Sequence, residues 1–155
     1  MSQAYGIDIQ GLAEMQKAFA EAPEKVGKVL EDTTKEAGKD IFREAVKEAP
    51  HAFGNLQRSM HMEYQPIQVK VEPTAEYAKD VEFGRPPQNI TGQDFVALTK
   101  WANKKGINPY AVRASIRKHG TKPNPFMQRT RDKLENPIQD LFRKAGELIE
   151  KILSK

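Results

Sequence analysis

The 155-residue sequence predicts an α+β fold: a small antiparallel β-sheet covered by a long N-terminal helix and a C-terminal helix, with a helical insertion between them. Three patterns carry that prediction. Apolar residues recur at steps of three and four from Val26 to Ala45, the period drops to two from Met60 to Val71, and a four-three spacing returns from Leu134 to Ile152. A helix repeats a face about every 3.6 residues and a strand every two, so each change of period marks a change of element.

Taken in order, Tyr5 to Ile9 alternates as a short strand, with Ile7 and Ile9 on one side. Leu12, Met15 and Phe19 then follow at helical spacing. Pro23 suits the first turn of a long helix running to about Ala49, because its missing N–H is one the first turn leaves unpaired anyway. Val26, Leu30, Thr33, Ala37, Ile41 and Ala45 form its buried stripe, opposite Glu24, Lys28, Glu31, Lys35, Lys39 and Glu48. Glu31 and Lys35 make an i,i+4 pair. Pro50 stops the helix.

Beyond His51, Met60, Met62 and Tyr64 alternate, as do Ile67, Val69 and Val71, with Gln65-Pro66 as the turn of an antiparallel hairpin. Pro73 ends the second strand or places it at an edge. The stretch from Ala75 to Phe83 fits either a helix or a helical turn entering a strand. Thr91-Gly92-Gln93-Asp94 has capping-box spacing and opens a helix that carries Phe95, Leu98 and Trp101 inward and closes at Gly106. Asn108-Pro109 starts another, with Val112 and Ile116 buried and Gly120 as its stop. Asn124-Pro125 opens the last helix, where Leu134, Ile138, Leu141, Ala145, Leu148 and Ile152 form a seam expected to pack on the sheet. Pro137 predicts a kink or break there. One domain spanning residues 1–155, with an insertion at about 91–120, follows from this order.

Composition narrows the chemistry. The chain has no cysteine, which excludes disulfides, thiolate metal sites and a cysteine nucleophile. Its first residues lack a basic start followed by an apolar run, and charges or prolines interrupt every apolar run before membrane-spanning length, so neither secretion nor a membrane partner is expected. The three histidines, His51, His61 and His119, lie in no recognisable catalytic setting, and no phosphate loop, zinc pair or calcium ladder occurs. Glu72, Glu76, Asp80 and Glu82 lack fixed ligand spacing, so they read as surface acids rather than a cation site. No catalytic, cofactor-binding or metal-binding residue is assigned.

The formal charge is +4, but its distribution is uneven. Ten basic residues lie between Lys100 and Lys133 against the single acid Asp132, a local +9 that leaves −5 elsewhere. Such a chain can meet an acidic groove on a neighbouring copy or a polyphosphate, or simply expose a solvated face. Phe95 to Gly120 also has the outline of a helix-turn-helix, which makes a DNA-binding accessory protein the competing function. The proline in the joint and the scarcity of Asn or Gln on the second helix argue against base reading.

Three stretches resemble the neck and tail-completion proteins of tailed bacteriophages. They are Ala49-Pro50 with Gly54-Asn55-Leu56-Gln57-Arg58-Ser59-Met60, then Tyr77-Ala78-Lys79-Asp80-Val81-Glu82-Phe83-Gly84, and Gly120-Thr121-Lys122-Pro123-Asn124-Pro125-Phe126. Gly11-Leu12 before the long helix is similar too, and Trp101 to Gly106 resembles a helical insertion of longer members. Phe53-Gly54 and Gly84-Arg85 depart from the family's loops. The resemblance marks Gly54, Leu56, Ser59, Tyr77, Glu82, Phe83, Gly84, Gly120, Pro125 and Phe126 as structural positions.

It also implies a non-enzymatic, cofactor-free virion component at the head–tail junction, made in the bacterial cytoplasm. The implied partners are copies of itself in a ring, as a hexamer or dodecamer, together with head-closure, tail-terminator or tail-tube proteins and, non-specifically, passing DNA. Arg85, Lys104, Lys105, Arg113, Arg117, Lys118, Lys122 and Arg129 are the candidate interface residues.

Overall fold

The computed structural model describes residues 7–8, 24–51 and 54–153. The elements in chain order are β1 (Ile7–Asp8), α1 (Glu24–Glu48), α2 (Asn55–Arg58), β2 (Met60–Gln65), β3 (Gln68–Pro73), α3 (Ala78–Phe83), α4 (Gly92–Lys104), α5 (Pro109–His119) and α6 (Phe126–Leu153). The fold is α+β, as the periodicities predict. An antiparallel sheet in the order β1-β3-β2 lies on α1, and α6 runs along α1. The expectations for Tyr5, Ile9, Leu12, Met15, Phe19 and Pro23 fall outside the described residues.

Every member of the α1 stripe is buried: Val26, Leu30, Thr33, Ala37, Ile41 and Ala45. Thr33 and Thr34 sit in apolar surroundings because their hydroxyls donate to the carbonyls of Val29 (2.7 Å) and Leu30 (2.8 Å) four residues back. Glu31 and Lys35 pair at 2.6 Å, and Lys35 lies 5.2 Å from the centre of the Tyr64 ring. The Tyr64 hydroxyl donates to the Glu31 carbonyl at 3.1 Å, tying β2 to the helix.

Helix and sheet approach closely at Gly38. A Cβ there would lie 2.5 Å from Val69 Cγ2 and 3.2 Å from Met62 Sδ. Val69 is completely buried and β-branched, so it cannot swing away. Gly38→Ala therefore gains about 1 kcal/mol of helix propensity but incurs about 2 kcal/mol of overpacking. The expected net loss is about 1 kcal/mol, measurable as a lower urea midpoint at unchanged m-value.

The hairpin forms with one correction. Gln65 pairs with Gln68, so the two-residue turn is Pro66-Ile67 rather than Gln65-Pro66. Ile67 thus leaves the strand and packs, half-buried, on the cluster of Val26, Leu30 and Ile149. Met62, Tyr64, Val69 and Val71 face α1, whereas His61, Glu63, Lys70 and Glu72 form the polar outer face. Pro73 ends β3 opposite Met60, at a position of the alternation that donates no N–H to β2, so its missing donor costs the hairpin nothing.

Three expectations for the C-terminal half change. The seam of α6 packs mainly on α1 rather than on the sheet, whose second face is polar. Leu148 is 49% exposed while Ile149 is buried beside Val26 and Leu30. A straight helix drifts about 20° per heptad against a four-three seam, which carries Leu148 out and brings Ile149 in. No break occurs at Pro137. Pro137 and Lys133 are both exposed, so the carbonyl that loses its helical partner is on the watered side.

Residues 78–83, left open between helix and strand, are helical. Thr91 precedes α4 but its side chain makes no capping bond, because this exposed terminus leaves water to satisfy the first N–H groups. Phe95, Leu98 and Trp101 are only half-buried, and Ala102 alone in α4 is fully so. Gly106 does close the helix in the left-handed conformation at φ +69°. Its N–H reaches the Asn103 carbonyl at 3.1 Å and that of Ile107 reaches Ala102 at 2.9 Å, the paired bonds of a Schellman stop. Asn108 caps α5, with Oδ1 accepting from the N–H of Tyr110 at 2.9 Å.

Candidate functional site

Two of the family-like stretches, far apart in sequence, meet to form a clamp. Arg85 and Thr121 make an isolated antiparallel bridge: the Thr121 N–H donates to the Arg85 carbonyl at 2.9 Å, and the Arg85 N–H donates to Thr121 Oγ1 at 2.8 Å. Gly84 (φ 76°, ψ 170°) and Gly120 (φ 74°, ψ −160°) flank the bridge in a region that only glycine occupies without strain. A Cβ on Gly84 would strike the Thr121 carbonyl oxygen, and one on Gly120 the Arg85 carbonyl oxygen. Both glycines are therefore required by close backbone approach as well as by conformation.

Beside the bridge, Glu82 reaches from α3 to the start of α6. Its Oε2 accepts the Met127 N–H at 3.0 Å and Oε1 accepts the Gln128 N–H at 3.1 Å. The first turn of a helix has unpaired donors and partial positive charge, so a carboxylate here satisfies both. Glu82 is 4% exposed, and these two bonds satisfy its buried carboxylate. The Asn124 N–H donates to the Val81 carbonyl at 2.8 Å, completing the seam. Phe126 is wholly buried behind it.

The clamp closes the base of an arm comprising residues 85–120. Its helices α4 and α5 pack on one another, with the Phe95 and Tyr110 rings 5.4 Å apart and the Arg113 guanidinium 4.8 Å from the Phe95 centroid. Arg113 also donates to Asn89 Oδ1 at 3.5 Å. Seven basic residues against one acid make the arm strongly positive. Val96, Ile107 and Tyr110 are exposed on it at 47, 44 and 67%. Sequence reading missed these three, although the large apolar residues flanking the Gly106-Asn108 joint carried a signal.

The candidate interface residues divide into two groups. Lys104, Lys105, Arg117, Lys118 and Lys122 are exposed on the arm or just past its base. Arg113 is held against Phe95. Arg85 pairs with Asp80 at 2.6 Å and so reinforces the clamp. Arg129 lies outside the arm: its Nε donates to Glu48 Oε2 at 2.8 Å and its Nη2 to the Glu48 carbonyl at 3.3 Å. Lys133 bonds both Glu48 and, at 3.1 Å, Glu44, so Glu48 is part of the α1–α6 contact rather than the solvated face.

The Lys133 and Arg129 cations hold the Glu48 carboxyl below its ordinary value, and Glu48 in turn raises Lys133. Because the folded Glu48 value is the lower one, its stabilisation is full above the unfolded value of about 4.3 and disappears as pH falls through the folded value. Wild-type stability should therefore decline on acidification below about pH 4.3 more steeply than that of Glu48→Gln, as read by urea titrations at successive pH values.

The remaining motif residues are structural. Gly54 takes the left-handed conformation (φ 71°) ahead of α2, Leu56 is buried, and Ser59 Oγ donates to the Leu56 carbonyl at 2.7 Å. Pro125 leads directly into α6. Tyr77 and Phe83 are 41 and 44% exposed, which removes them from the core, while Trp101 is half-buried. Among the described residues, no group of three or more histidine or acidic side chains could hold a metal ion, and no helix is long and apolar enough to cross a membrane.

The ordered motifs converge on one framework, and part of that framework is similar to a known family. Residues 13–84 match the family model described as "Bacteriophage HK97-gp10, putative tail-component". This segment of the chain is HK97-gp10-like, and the family fits the head–tail joining and tail-completion proteins that its motifs resemble. The match ends at the first clamp glycine, so the arm lies beyond it. No curated protein and no solved structure matches the chain.

Proposed function

We propose that the protein is a structural virion component of the head–tail junction, assembling as a ring of six or twelve copies that completes or joins the tail and lets DNA pass. The match of residues 13–84 to a phage tail-component family carries this reading. The clamped framework supports it by presenting a basic arm with exposed Val96, Ile107 and Tyr110 as a second, chemically different surface. A closed ring needs two different patches on each copy, and opposite charge across them favours register and association rate. The partners in this reading are neighbouring copies and head-closure, tail-terminator or tail-tube proteins, with DNA touched only through its phosphates. The arm is an insertion in a single domain.

The decisive experiment removes the gene from the phage and supplies it in trans. Expected are filled heads and tails that fail to join or mature, rescue by the wild-type gene, and detection of the protein in purified particles at the junction. Normal particles without it would sink the reading. Binding of purified protein to duplex DNA with sequence preference and a steep salt slope would instead favour the accessory DNA-binding function.

A further inference from the structure

We propose that a second copy of this chain pairs its β2 with β2 across a two-fold axis, joining two three-stranded sheets into one of six strands. The proposal does not depend on the head–tail reading.

The alternation of the ladder identifies which backbone groups are available. The Thr74 N–H donates to the Ser59 carbonyl at 2.8 Å, and Gln65 and Gln68 close the two-residue turn. Ser59, His61, Glu63 and Gln65 therefore occupy the hydrogen-bonded positions opposite β3, and Met60, Met62 and Tyr64 occupy the alternate ones. The pairing of Val71 with both Ile7 and Met62 fits the same alternation, since Val71 turns its backbone toward β1. Met60, Met62 and Tyr64 consequently direct their N–H and C=O groups to the outer edge, where none has a hydrogen-bond partner among the described residues.

Among the described residues this edge lacks the usual protection. The strand Met60–Gln65 contains neither Pro nor Lys, and its ladder to β3 runs without a bulge. A continuous unpaired edge accepts another strand, and its own sequence selects the occupant. Antiparallel self-pairing centred on Met62 uses all three outward residues, with Met62 opposite Met62 and Met60 opposite Tyr64. It also places His61 opposite Glu63 of the second copy twice, on the polar face, where the ring N–H of one can donate to the carboxylate of the other. Sliding by one ladder step puts Glu63 against Glu63 or His61 against His61, so the centred register is selected by charge as well as by hydrogen bonding. The two-fold pairing uses up both β2 edges and closes the assembly. Among the described residues α1 lies over β2 and β3, and strands are about 4.8 Å apart, so this pairing would bring the two α1 helices to about 10 Å, an ordinary distance for packed helices.

The cysteine-free chain permits a direct test. His61 and Glu63 are exposed, so replacing them leaves the core unchanged. In the proposed register each position 61 faces position 63 of the other copy as a non-hydrogen-bonded pair, about 4.5 Å between Cα atoms, within disulfide range. Two residues apart on one strand are about 7 Å apart, too far to bridge within a chain. The expected results are a two-fold particle mass for wild type by light scattering and, after mild oxidation, at least tenfold more covalent dimer from H61C/E63C than from either single variant. A single-chain mass at about 100 µM, or a double variant that cross-links no better than the singles, overturns the proposal. A larger ring without the 61–63 cross-link overturns it too, while leaving the head–tail reading intact.

Discussion

Glu82→Ala should lower the stability of the folded chain by about 3 kcal/mol. The substitution removes two charge-assisted bonds to the N–H groups of Met127 and Gln128 and also removes the negative charge at the positive end of α6. Water cannot easily replace it, because Glu82 and Met127 are both buried. The loss begins at the α6 terminus and extends to Phe126, which anchors the core. Glu82→Gln keeps the shape and one acceptor oxygen but brings an amide donor toward backbone donors, so it should fall between wild type and Ala. Urea denaturation gives the magnitude, and amide exchange at Met127 and Gln128 shows whether the loss begins at this terminus. An alanine variant within about 0.5 kcal/mol of wild type would refute the capping role.

The second large effect is expected at Gly120→Ala, about 3 kcal/mol or more. The backbone angles of Gly120 belong to a region nearly closed to side chains, and the added methyl would collide with the Arg85 carbonyl oxygen, a rigid backbone atom. Neither cost can be relieved by a rotamer change. The least costly response is to open the Arg85–Thr121 bridge, so Thr121 should lose exchange protection before the α1 core does. Gly106→Ala is the control. It also has positive φ, but nothing lies within 4 Å of a Cβ there, so it should cost only the local strain of about 1 kcal/mol. Equal losses at the two glycines would show that collision across the clamp contributes nothing.

These two sites show what the sequence could and could not reveal. Periodicity identified the α1 stripe and the inward faces of β2 and β3 because each depends on a repeat within one element. Asn108 and Gly106 were legible for a similar reason, since their partners lie two to five residues away. Glu82 was marked as structural, yet its role lies 45 residues downstream, beyond any local pattern. Gly84 and Gly120 were each readable as turn glycines, but not as two sides of one contact. Charge counting had the same limit: Arg85, Arg129 and Lys133 belong to the basic inventory, yet each pairs with an acid of its own chain. Leu148 was misjudged, and the break allowed for at Pro137 does not occur, because drift across a long helix and access of water to one carbonyl depend on the packed structure, not on spacing.

The chain leaves its framework at Gly84 and returns beside it at Gly120, so entry and exit of the excursion share one doorway. Such an architecture makes the arm interchangeable: the excursion can be trimmed to a tight turn, lengthened, or exchanged for a foreign sequence without re-routing α1, the hairpin or α6. On the head–tail reading proposed above, a change of partner would then ask for a change in this excursion alone.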